Sequence, residues 1–226
     1  MSWTHVQDFG NTNTVYSGSS GSISASSTGI SVGDYLLVIV ANYEAYTSGV
    51  SDNYGNTYTR LGRITNGSTQ GELWYAPVAA VGASGALTIT SAAQAYGVIG
   101  VADFTASGTV SLDGPTVTNS ATGTAVTSGS FGGAAGDLGV ACVFFGSTSG
   151  TVSANAPWTL GYSAAYLSSY HVGAALIYDL STPSAPNISA TLSASLSWGA
   201  VAQALTAAAS SFQPQYLGDQ IQEMYG

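Results

Sequence analysis

The chain has 226 residues, with two Arg, no Lys and eleven Asp or Glu, for a formal net charge of −9. Charged residues make up 6%, against roughly 25% in ordinary soluble domains, while the hydrophobic share is an unremarkable 45%. This excludes a nucleic-acid binder, which needs Lys and Arg to displace counterions. It excludes an acidic disordered tail, for which the chain is too apolar, and a Glu/Lys-rich coiled coil.

The length suits one large all-β domain or two small ones. The first residues, Met1-Ser2-Trp3-Thr4-His5-Val6, have neither the basic nor the apolar region of a secretory signal. The longest apolar run, residues 35–41, is strand-sized and far below a membrane span.

In chain order, Ser31-Val32-Gly33-Asp34 reads as a turn leading into a strand buried on both faces, Tyr35-Leu36-Leu37-Val38-Ile39-Val40. Asp52-Asn53-Tyr54-Gly55-Asn56 is a turn by its chemistry, since Gly and Asn tolerate positive φ. Tyr58-Thr59-Arg60-Leu61 is a half-buried strand, Asn66-Gly67 a hairpin signal, and Glu72-Leu73-Trp74-Tyr75 the next strand. Ala86-Leu87-Thr88-Ile89-Thr90 alternates with period 2, and residues 96–104 close the set. Such spacing of short strands predicts an antiparallel β-sandwich or barrel.

The second half echoes the first. Gly33-Asp34-Tyr35-Leu36 returns as Gly136-Asp137-Leu138-Gly139, and Trp74-Tyr75 as Ile177-Tyr178, each 103 residues on. Val50-Ser51 returns as Val152-Ser153, and Tyr96-Gly97 as Trp198-Gly199, each 102 on. We read two repeats, 1–104 and 105–208, as either two tandem domains or two halves of one sandwich; the short join, with no Pro-rich or charged linker, favours one fused all-β sandwich over residues 1–208. Asp34 and Asp137 read as turn residues whose carboxylates bind nearby backbone N–H groups. Residues 209–226 form a separate C-terminal extension. There Leu217, Ile221, Met224 and Tyr225 share one face of a short helix. So short a helix needs a surface to dock on, either its own domain or a neighbouring subunit, which residues 210–226, up to about 55 Å when fully extended, are long enough to reach as an arm. Candidate interface residues at the two ends are Trp3, Phe212, Tyr216, Leu217, Ile221, Met224 and Tyr225.

No catalytic or metal chemistry stands out, so no catalytic, cofactor or metal residue is assigned and no cofactor is expected. His5 and His171 lie in different repeats without a second ligand at metal spacing. Asp52 to Asn56 lacks the terminal Glu of a calcium loop. Cys142 sits in an apolar strand and reads as a buried small hydrophobe. The chain reads as a non-enzyme. Its Tyr residues, among them Tyr43, Tyr46, Tyr162, Tyr166 and Tyr170, are open between sheet packing, a protein interface and sugar stacking.

The order of Val32-Gly33-Asp34-Tyr35-Leu36, Asp52-Asn53-Tyr54-Gly55-Asn56-Thr57, Leu73-Trp74-Tyr75, Ser111-Leu112-Asp113, Ala135-Gly136-Asp137-Leu138, Ala156-Pro157-Trp158-Thr159 and Ser197-Trp198-Gly199 resembles the duplicated β-sandwich (jelly-roll or immunoglobulin-like) proteins of tailed-bacteriophage virions, which also occur among secreted bacterial proteins. The resemblance spans most of residues 5–208. It implies a virion structural protein made and assembled in the host cytoplasm, most specifically a capsid decoration or accessory protein. Its implied partners are other virion proteins, the major coat or tail proteins, in a homo-oligomer or multi-copy assembly with no nucleic acid and no membrane. The alternative is a minor tail or fibre protein, or an extracellular module, that binds cell-surface carbohydrate.

Overall fold

Two uninterrupted apolar runs become the middle strands of two sheets, each buried on both faces. In this computed structural model the described residues are 2–12, 22–43, 46–47, 49–92, 96–147, 149–166 and 171–209. The first half forms β1 (Trp3–Thr12), β2 (Ile23–Ser27), β3 (Tyr35–Tyr43), β4 (Val50–Asp52), β5 (Thr59–Asn66), β6 (Thr69–Pro77), β7 (Leu87–Ser91) and β8 (Gly97–Ala106). The second forms β9 (Gly108–Thr127), β10 (Leu138–Phe145), β11 (Val152–Ala154), β12 (Thr159–Tyr166), β13 (Val172–Asp179) and β14 (Ser189–Ala209). The protein is all-β and antiparallel, as its periodicity predicts.

The first half stacks a five-stranded sheet, β1-β8-β3-β6-β5, on a three-stranded one, β2-β7-β4. The second half repeats the large sheet strand for strand as β9-β14-β10-β13-β12. Its small sheet is made by the far ends of the same long strands. Residues 189–191 of β14 pair with β9, and residues 190–192 with β11. One strand thus does the work of β7 and β8, and β9 that of β1 and β2. β9 turns from one layer to the other near Gly123, whose φ is +154°.

Successive side chains of a strand face opposite ways. Leu36, Val38 and Val40 therefore fill the core under the small sheet with Ile23, Leu87 and Ile89. Leu37 and Ile39 face the other way, into a core shared with Val140, Phe144 and Leu176 of the second half. A third core, with Val143, Phe145, Ile177 and Trp198, lies within the second half. Each half closes its own two-layer sandwich, and the two large sheets pack face to face. The result is a stack of four layers, in which the second half's outer layer is made by the far ends of β9 and β14 together with β11.

At the seam β1 lies over β12 and β5 over β9, an exchange that maps one half onto the other. The arrangement is that of an isologous dimer joined into one chain, with Ser107 linking β8 to β9. The filling is not symmetric. Tyr162 of β12 lies on Gly10 and Gly100, where an added Cβ would sit 2.4 Å from the ring. At the opposite end the counterpart position is Gly62, whose Cβ would come within 2.8 Å of Thr116 and Val201. Phe144 wedges between Gly199 beside it and Gly71 across the seam, where added Cβ atoms would lie 2.2 and 2.0 Å away.

Cys142 is free and wholly buried in this seam, and burial pushes its thiol far up from its ordinary value. We expect it to resist thiol reagents in the folded chain and to react fully once denatured. Fast labelling of the native protein would contradict this packing.

Candidate functional site

The only two cations of the chain, Arg60 and Arg63, lie on β5, an outer strand of its sheet. Residues three apart on a regular strand point to opposite faces. Here a bulge between Arg60 and Gly62 absorbs one residue, so Arg60 stands opposite Trp74 and Arg63 opposite Glu72. Both guanidinium groups reach the same face. Arg60 lies 5.6 Å from the centre of the Trp74 ring and 3.6 Å from Glu72 Oε2. Arg63 stacks 4.4 Å over Tyr46, whose hydroxyl hydrogen-bonds with that of Thr65.

Glu72 is 1% exposed, and the Thr47 backbone N–H donates to its Oε1 at 2.7 Å. Burial raises its pKa above the usual carboxylate value, although the Thr47 N–H and both Arg side chains oppose the rise. A buried carboxylate of this kind holds its place only with such partners. In the second half the register-equivalent positions are Leu160, Ser163, Ala175 and Ile177. The fold therefore does not require the cluster, since the same topology forms there with apolar and small side chains. The cluster offers partly exposed guanidinium donors (the Arg60 side chain is 38% exposed) beside an aromatic ring and hydroxyls. That is recognition chemistry of the kind that holds hydroxyl- or carboxylate-bearing ligands.

Carboxylates also meet at one corner of each half. Asp34 Oδ2 accepts the Ser31 N–H at 2.7 Å, and Asp137 Oδ2 the Ala134 N–H at 2.9 Å, the turn role read from sequence. Each has an acidic neighbour. Asp103 is wholly buried, with one carboxylate oxygen unpartnered, and its pKa rises to about 6 through burial first and Asp34 second. The Ala134 N–H also donates to Asp113 Oδ2 at 3.0 Å, and Asp137 is raised by burial and by Asp113.

Asp52 is saturated as a turn residue. Its carboxylate accepts from the backbone N–H groups of Tyr54 and Asn56, the Asn56 side chain and the Tyr58 hydroxyl, at 2.8–3.2 Å. Among the described residues no three His, Cys, Asp or Glu side chains gather closely enough to share a metal ion. His5 pairs with Asp8 at 3.0 Å and stacks on Tyr178, with ring centres 4.8 Å apart.

Of the candidate interface residues, Trp3 is 5% exposed and packs edge-on against Tyr35 in the seam core, covered by its own chain. Phe212, Tyr216, Leu217, Ile221, Met224 and Tyr225 lie outside the described residues, as does Tyr170. Tyr162 is a packing residue of the seam. The arginine cluster escaped the sequence reading. Its signal lay in comparing the repeats, where Trp74-Tyr75 faces Ile177-Tyr178 and the two cations have no counterpart. No known protein family, curated protein or solved structure matches the chain.

Proposed function

We propose that the chain is a non-enzymatic structural protein of a tailed-bacteriophage virion, most specifically a capsid decoration or accessory protein. The observation that carries this reading is the duplicated sandwich itself. The motifs that resemble the virion proteins fall at matching places in both halves, with Gly33-Asp34 and Gly136-Asp137 each leading into the middle strand of a large sheet. With its middle strands buried on both faces and its halves packed together at the seam, the body presents a surface poor in charge. Such a body works by covering area on its neighbours, and it stabilises them by mass action. Quantitative mass spectrometry of density-purified particles tests this. One copy per coat protein, or a simple fraction of one, is expected. A few copies per particle would move the chain to the tail, and absence would end the virion reading.

The arginine cluster favours a second reading, in which the chain binds cell-surface carbohydrate from a tail or from outside the cell. A glycan array probed with the wild type and with Arg63→Ala decides it. The reading requires binding by the wild type that the variant loses while its melting temperature holds.

A further inference from the structure

β1 and β9 are the corresponding outer strands of the two large sheets, and each pairs with only one described strand. Among the described residues nothing pairs with their outer sides, and backbone groups left so are the usual template for a further strand. On β9 the outward-facing groups can be identified. The Asn66 side-chain amide donates to both Ala121 O and Trp198 O, at 2.9 and 2.7 Å. Two carbonyls that share one donor point toward each other, so the backbone of Ala121 faces β14. The backbone groups of Thr118, Ser120 and Thr122 then face outward.

One of these outward donors is already taken. Ser120 N–H donates to Asn119 Oδ1 at 2.9 Å, while Asn119 Nδ2 donates to Thr127 O at 2.8 Å, on the limb of β9 that joins the small sheet. β1 carries the same device. Thr12 N–H donates to Asn11 Oδ1 at 2.8 Å, and Asn11 Nδ2 donates to Ser24 O of β2 at 3.0 Å. Each asparagine folds its amide over its own strand and ties it to the neighbouring layer. Two outer strands with different sequences reach one solution.

We propose that Asn11 and Asn119 are edge plugs that keep the chain from pairing strand to strand with its own copies. Unplugged, the partner these edges fit is a second copy of the chain. From Gly114 to Thr127 β9 carries no charged side chain, so nothing local repels an antiparallel β9 despite the net charge of −9. About a two-fold at Ser120, Thr118 would face Thr122 of the other copy, a favourable cross-strand pair. The inference does not depend on the virion reading.

The test is sedimentation of the full chain over a range of concentrations. Asn11→Ala/Asn119→Ala is expected to sediment at a mass that grows with concentration well above the wild type, with its melting transition still cooperative. Adding Thr122→Lys should return the mass toward the wild-type value. That lysine lowers the overall negative charge, so a general charge effect would act the other way. Should the double variant prove unfolded, Asn119→Ala alone is read in the same way. The proposal fails if the unplugged, folded chain keeps the wild-type mass throughout. It also fails if a Ser120→Cys probe, which would face its own copy across the two-fold, cross-links as readily in the otherwise wild-type chain as in the unplugged one.

Discussion

Phe144→Ala is expected to lower the unfolding free energy by about 3–5 kcal/mol, the usual cost of emptying a large buried aromatic site. The ring is fully buried and bears on a glycine of each half, so the vacated space cannot be filled from one side alone. Gly71→Val is expected to be comparably damaging for the opposite reason, because its Cβ would fall 2.0 Å from the ring. In the double variant the valine occupies room that the ring has left. Urea denaturation of all four proteins should show the pair less destabilised than the sum of the two single changes. Additive losses would mean that the ring does not bridge the two sheets.

Stability should rise as the pH falls from 8 to 5. Asp103 titrates near 6 in the folded chain against 3.8 unfolded, so between those values the folded state holds the extra proton. Its contribution is complete below about 4, is lost as the pH rises through about 6, and amounts to about 3 kcal/mol. Asp8, Glu72 and Asp137 are raised in the same direction, each by burial first. Asp103→Asn keeps an acceptor for Gln7 and removes the buried charge. It should stabilise the chain at pH 8, change little at pH 4, and flatten the profile between. Greater wild-type stability at pH 8 than at pH 5, measured by urea denaturation, would refute this account.

The central strands were legible because burial on both faces writes them as continuous apolar runs, as in Tyr35 to Val40. The Asn66-Gly67 hairpin and the Asp52 turn were legible because their conformations select particular residues. β9 was not. Thr-Val-Thr-Asn-Ser-Ala-Thr-Gly has no apolar alternation, since an outer strand buries little of either face, and only its pairing with β14 makes it a strand. The carboxylate corners were half legible. The Gly-Asp signature marked Asp34 and Asp137 as turn residues, but no local pattern links Asp34 to Asp103 on a strand far along the chain. The arginine cluster depends on a single-residue bulge, which sequence does not announce.

The unequal filling of the seam decides which half a half can recognise. Two first halves brought together would set Gly62 against Gly10 and Gly100, leaving holes at both ends. Two second halves would press Tyr162 against the Thr116 and Val201 side chains, a collision at both ends. Only unlike halves fit, and the one-residue link at Ser107 supplies the unlike half at a high effective concentration. What has the geometry of a dimer therefore assembles independently of dilution, and a substitution on either side of the seam is tolerated only with its answer on the other.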